Sequence, residues 1–208
     1  MKPIDVEDLP SRSIGRAEET LRVATDLFLE HGYAKVSIDA VVARVGGSKR
    51  DLYAEFGGKE GLFRRVIDGV CQEVMRPLET LPSNGDSAES ALRAFGATFL
   101  GFLLTPRVVA LQKLVMSEAN RYPEFAQTFI ERGCQSAYRV AAELLSSLAA
   151  RGEIDVQAPR VIGALFCDML IADLQFRTIA GEVVPAHEVT ERVNLGVSTV
   201  LYGIARKK

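Results

Sequence analysis

The sequence predicts an all-α protein of about nine helices, three short ones followed by longer ones. Three observations carry that expectation. Core-facing residues recur at helical spacing almost throughout, beginning with Leu21, Ala24, Thr25 and Phe28 at i, i+3, i+4 and i+7. Glycine pairs and X-Pro steps cut the pattern into segments of helical length. No stretch alternates convincingly with the period of two that a half-buried strand needs.

The first helix is expected over about 14–31, closed by His31-Gly32, where glycine suits the left-handed position after a helix and histidine suits the dipole's negative end. Ile38, Val41, Val42 and Val45 repeat the spacing behind Ser37, a good N-cap. After Gly46-Gly47, the run Ser48-Lys49-Arg50-Asp51 reads as a capping box opening a third helix with Leu52, Tyr53 and Phe56 on its apolar side. Gly57-Gly58 breaks it, and a longer helix runs over about 59–81, with Pro77 the point at which it would bend. The segment Leu81 to Ser87 is the clearest loop. Further helices are expected over about 87–104, 107–121, 123–151, 158–180 and 186–206, separated by Thr105-Pro106, Tyr122-Pro123, Gly152 and Gly181 to Pro185.

Composition is that of an ordinary globular chain: 208 residues, 48% hydrophobic and 25% charged, with a formal net charge of −2. No overall field points to nucleic acid or to an anionic membrane. Locally the balance differs, because Arg44 to Arg65 holds six bases against three acids. Three cysteines at wide spacing, Cys71, Cys134 and Cys167, argue for free thiols in a reducing compartment. The start, with Asp5, Glu7 and Asp8, is no secretory signal. The most apolar window, Ala94 to Leu104, falls short of the roughly 18 to 20 residues that cross a bilayer. A cytoplasmic protein without membrane contact is the expectation.

Two short helices joined by a glycine turn, the second with bases in its first turn, describe a helix-turn-helix. A recognition helix must offer polar side chains from its first turns to base edges, while flanking groups grip phosphates. Spacing alone leaves open a generic helical hairpin with a solvated charged face. The residues then become specific. Phe28-Leu29-Glu30-His31-Gly32-Tyr33, Ser37 through Ser48, Leu52-Tyr53-Ala54-Glu55-Phe56 and Lys59-Glu60-Gly61-Leu62-Phe63 resemble the TetR/AcrR family of transcriptional regulators. The stretch from Glu118 to Phe125 is similar to the C-terminal domain of its AefR-like branch.

The resemblance implies an N-terminal arm over 1–13, a helix-turn-helix domain over 14–58 and a ligand-binding and dimerisation domain over 59–208. It implies Ser37, Tyr53 and Lys59 as phosphate-side contacts and Ser48, Lys49, Arg50 and Asp51 as the groove-facing set. Arg50 is favoured for base contact, because its guanidinium fork matches a guanine edge. Asp51 either reads bases or caps its own helix, and Arg44 either touches backbone or only solvates the second helix. Tyr53 either adds a phosphate contact or serves packing alone. Two departures from the family pattern stand out. Gly47 replaces an aliphatic residue and is expected to cost turn packing, and Gly58 replaces an N-cap serine.

Residues 68–208 hold 14 Lys/Arg against 16 Asp/Glu, so this part is no second DNA-binding surface. The segment Val161 to Phe176, apolar on nearly every side, must be covered on more than one face. Together with the last helix it predicts a homodimer interface through Val161, Leu165, Ala172, Val193, Val197 and Val200, with Ile204 beyond them. The alternative is that both helices are intramolecular core. Phe95, Phe99, Phe102, Phe129, Tyr138, Phe166 and Met169 are candidates to line a small-molecule cavity, with Gln112, Asn120, Cys134 and Asp168 to orient an inducer. Plain core packing is the alternative for each aromatic. The helix over 59–81 is the one element expected to lead from the DNA-binding end to that cavity, and the resemblance implies a pendulum-like shift of it.

No histidine or cysteine spacing suggests a metal, no glycine-rich phosphate loop or nucleophile elbow is present, and no cofactor or enzymatic activity is expected. The expected function is a homodimeric regulator that binds a palindromic double-stranded operator, most simply a repressor released by a small molecule. The alternative is a helical regulator that works through protein partners.

Overall fold

The computed structural model describes residues 9–81 and 87–203, with side chains from Gly15 onward. Residues 1–8 of the arm expected over 1–13, most of the 81–87 loop and Ile204 lie outside the described residues, while residues 9–13 belong to the first helix rather than to an arm. The helices are α1 (Leu9–His31), α2 (Ile38–Val45), α3 (Lys49–Phe56), α4 (Lys59–Glu79), α5 (Ala88–Leu103), α6 (Pro106–Glu118), α7 (Pro123–Phe129), α8 (Ser136–Ala150), α9 (Pro159–Ile179) and α10 (Ala186–Tyr202). No strand occurs among them. Helix α1 begins five residues before the sequence expectation. The rod expected over 123–151 is present, but a π-helical turn, Ile130–Gln135, divides it into α7 and α8.

The caps follow the sequence. Ser37 Oγ accepts from the Ala40 amide at 3.1 Å to open α2. The Ser48–Asp51 capping box forms in both directions at the start of α3. The Ser87 and Thr105 hydroxyls accept from the Ser90 and Val108 amides to cap α5 and α6. Each such cap satisfies an amide that the helix itself cannot, worth about 1 kcal/mol. Pro77 lies in the last turn of α4 without ending it.

One continuous core runs from α1 to α10. Its first aromatic knot joins Phe28 of α1, Tyr33 of the α1–α2 turn, Phe63 of α4 and Tyr122 and Phe125 at the start of α7. Ring centroids there are 4.8–5.8 Å apart. Burial, with neighbouring Tyr122 second, pushes the Tyr33 hydroxyl well above the ordinary phenol range. Arg107 of α6 adds a polar tie, reaching Asp26 of α1 at 3.5 Å and Glu73 of α4 at 3.0 Å. The expectation that α4 alone links the two parts is therefore corrected. The chain doubles back, so that α6 packs on α1 and the start of α7 packs on Tyr33 of the α1–α2 turn.

Candidate nucleic-acid interface and effector cavity

The groove-facing set lies together at the exposed N-terminus of α3, with Ser48, Lys49, Arg50 and Asp51 all exposed. Their engagements differ. Asp51 is spent on its cap, accepting from the Ser48 amide at 3.4 Å, and sits 4.0 Å from Arg16. Lys49 pairs with Asp39 of α2 at 2.6 Å. Arg50 and Arg44 are exposed and make no ion pair among the described residues, so Arg50 is the cation of the first turn left to bind something else. Ser37 is exposed beside α2, with its hydroxyl already accepting the cap bond.

Tyr53 is 56% exposed, its ring lying against Gly58, where a Cβ would come within 2.9 Å of Cε1. That contact accounts for glycine at the start of α4 in place of a capping serine. Lys59 behaves unlike a free phosphate contact. Its ammonium donates to the Ala34 carbonyl at 3.3 Å and lies 4.3 Å from the Tyr33 ring centroid. Burial, opposed by Glu118, lowers its pKa.

Gly47 departs from the sequence expectation of lost packing. Its φ is +90°, and a Cβ placed there would fall 1.2 Å from Arg16 Nη2. Arg16 of α1 occupies the space and donates to the Gly46 carbonyl at 3.1 Å. The turn is held from α1 by a residue that local spacing did not reveal.

The cavity lies between α4, α5, α6, the π-helical turn and α9, with a volume of about 140 Å³. Of the expected lining residues it brings together Phe99, Gln112, Phe129 and Tyr138, with Cys134 beside them. Phe95 packs on both Phe99 and Phe166, and Phe95 and Phe166 are core rather than lining the cavity. Phe102 and Met169 are half-buried elsewhere, and Asn120 and Asp168 are exposed. Asp168 still bears on the site, because it accepts from the Tyr138 hydroxyl at 2.6 Å. Sequence reading missed Val70, Cys71, Val74 and Met75 of α4, Met116 of α6, and Ile171 and Gln175 of α9. Gln175, a glutamine within an apolar run, was the available signal. Its amide donates to Gln112 Oε1 at 2.7 Å.

Helices α9 and α10 also present an outer face. Val161, Leu165, Ala172 and Phe176 are exposed along α9, with Phe176 at 74%. On α10 the exposed apolar residues are Leu195 and Tyr202, both missed from sequence. Val193 and Val197 leave the expected interface set. They are 4% and 1% exposed within the single chain, and Val193 packs beside Gly96 of α5. Val200 is half-buried. Ala172 breaks the helical backbone with φ 30° and ψ −124°.

A capped helical pair with an exposed basic first turn, joined through a shared core to a larger helical domain with an apolar cavity, is the architecture of a helix-turn-helix transcriptional regulator. Residues 21–66 match the family described as bacterial regulatory proteins, tetR family, and residues 90–203 match the AefR-like transcriptional repressor, C-terminal domain. The chain belongs to the TetR family of DNA-binding regulators. The HTH-type transcriptional repressor ComR of Escherichia coli K12 is 30% identical over 141 residues, 66% of this chain and 67% of ComR. A solved TetR-family regulator from Mesorhizobium loti shares the fold with a TM-score of 0.84 at 23% identity, covering 91% of this chain and 96% of that one. The flavonoid-responsive regulator FrrA gives a TM-score of 0.74 at 27% identity, covering 89% of this chain and 94% of FrrA. Among the described residues no single helix is long and apolar enough to cross a membrane.

Proposed function

We propose that this chain is a homodimeric repressor that holds a palindromic operator and releases it when a small molecule occupies the cavity. The observation that carries the reading is the physical continuity between the two sites. Phe129 and Ile130 line the cavity at the end of α7, while Phe125, one turn earlier, packs on Tyr33 of the turn that leads from α1 into α2. A displacement of α7 or of α4 therefore reaches the turn that orients α2 and α3. Such a change alters affinity only if the occupant prefers one arrangement over the other.

In this reading Arg50 contacts a base edge, while Ser37, Arg44, Lys49 and Tyr53 face backbone. Lys59 fixes the domain junction more than it grips phosphate. The outer face of α9 and α10 supports assembly, because four exposed large apolar side chains, Val161, Leu165, Phe176 and Leu195, are costly to leave in water. An isologous pairing of two such faces gives the two-fold axis that a palindrome requires. Light scattering and titration of retained genomic fragments at several salt concentrations test both claims. A dimer at micromolar concentration whose affinity falls steeply with salt is expected. A monomer, or retention indifferent to salt, would refute the reading. Leu195→Glu should split the dimer and keep a folded chain. Val197→Glu should instead unfold it, because the charge is buried within one protomer.

A further inference from the structure

We propose that the cavity takes a neutral, single-ring apolar molecule carrying one hydrogen-bonding group, seated at the Gln112–Gln175 pair and admitted past Met116 and Ile130. The inference rests on the reading of this cavity as the effector site and adds the chemistry of its occupant.

Size comes first. A cavity of about 140 Å³ is close to the roughly 150 Å³ that holds one benzene ring. A three-ring flavonoid, the class named for FrrA, is larger than this space. Charge comes next. Among the described residues no Asp, Glu, Lys, Arg or His lines the cavity. The two thiols there stay protonated at neutral pH, since burial raises Cys134 and pushes Cys71 up to about 12. The Tyr138 hydroxyl is already committed to Asp168. A charged occupant would have to shed water with no countercharge to meet it.

The strongest polar groups of the lining sit together as one amide pair. Gln175 and Gln112 spend one donor and one acceptor on each other at 2.7 Å. An amide side chain carries two donors and an acceptor, so the pair still presents both kinds of group to an occupant. A hydroxyl or a carboxamide uses them, and a bare hydrocarbon does not. Access is equally local. Met116 and Ile130 line the cavity and yet are 50% and 45% exposed, so they form its rim. An unbranched methionine is suited to moving aside there.

The test uses the full chain labelled with ¹³C at the methionine methyls and titrated with phenol, toluene, benzoate and a flavone. Met75 and Met116 line the cavity and Met169 does not, which makes the three methyls position markers. Phenol and toluene should shift Met75 and Met116 saturably and leave Met169 in place. Phenol should bind about three- to tenfold tighter, the usual gain from one hydrogen bond. Gln112→Leu should erase that difference and keep toluene binding, and Gln175→Leu serves as the second variant. Saturation by benzoate or the flavone at equal or lower concentration would overturn the proposal. So would shifts confined to Met169, or no saturation by either phenol or toluene. DNA release is scored separately. A protein that shows the expected methyl pattern but retains no operator would sink the regulator reading and leave the ligand class standing. Operator release by benzoate alone would do the reverse.

Discussion

Replacing Gly47 by alanine tests whether α1 braces the helix-turn-helix turn. Two costs follow from the structure. At φ +90° an L-residue loses about 1–2 kcal/mol relative to glycine. The new Cβ would also fall 1.2 Å from Arg16 Nη2, so the guanidinium must leave. It then gives up its 3.1 Å bond to the Gly46 carbonyl, worth about 0.5–1.5 kcal/mol. The 4.0 Å approach of Arg16 to Asp51, half-exposed at both ends, adds almost nothing. The expected loss is about 2–3 kcal/mol, or about 4–12 °C in Tm for a chain of this size. Arg16→Ala alone should cost about 1 kcal/mol, since it loses only the hydrogen bond. The double variant should then be no worse than Gly47→Ala, because the clash has no partner left. A thermal or urea double-mutant cycle at fixed protein concentration reads this as a coupling of about 1 kcal/mol. Additivity of the two single losses to within about 0.3 kcal/mol would refute the brace.

Arg50→Ala should cost about 1–3 kcal/mol on the specific operator and relax base preference, whereas Lys49→Ala should weaken all sequences alike; unchanged affinity and preference would remove Arg50 from the contact set. Cys71 and Cys167, pushed up to about 12 by burial, keep protons that the unfolded chain gives up above about pH 8.5. Their share of stability is therefore complete below that pH and is lost progressively as pH rises from there toward the folded value of about 12. Urea unfolding between pH 7.5 and 10 should show stability falling, with a shallower fall in Cys71→Ala; a flat profile would contradict the assignment. Phe125→Leu weakens ring contacts to Tyr33, Phe63 and Tyr122, each worth about 0.5–1.5 kcal/mol. It should blunt effector-driven release more than operator binding by the free protein, and unaltered release would place the coupling elsewhere.

Most of the helix-turn-helix was legible because its determinants are local. Ser37, Ser48 and Asp51 act within three residues of themselves, and the glycine breaks act at once. What escaped was non-local. Arg16 meets Gly46 across 30 residues and Lys59 meets Ala34 across 25, and no spacing rule reports such a pairing. The cavity was half legible for a related reason. Val70 and Val74 of α4 line it with the same spacing that marks ordinary core, so periodicity finds the face without saying whether a void lies beneath. The outer face failed by rotation. Leu195 lies two residues from both Val193 and Val197, which places it about 200° around a helix. Composition alone showed that α10 was apolar, not which side the chain's own core would claim.

Helix α9 carries both of the surfaces on which the proposed control depends. Ile171 and Gln175 face the cavity, while Ala172 and Phe176, one residue on from each, face outward. The backbone break at Ala172 falls between the two cavity residues, and the π-helical turn supplies Ile130, Gly133 and Cys134 on another wall. The two irregular stretches of helix in the larger domain thus both border the same space. A residue held at φ 30° stores about 1–3 kcal/mol. A tenfold change in operator affinity needs about 1.4 kcal/mol, inside the usual allosteric range of about 1–3 kcal/mol. An occupant that relaxes or deepens that one backbone strain has energy of the required order at its disposal. In the proposed dimer it would act on the segment that also forms the outer face of α9, which would tie occupancy to the spacing of the two protomers through the same few residues.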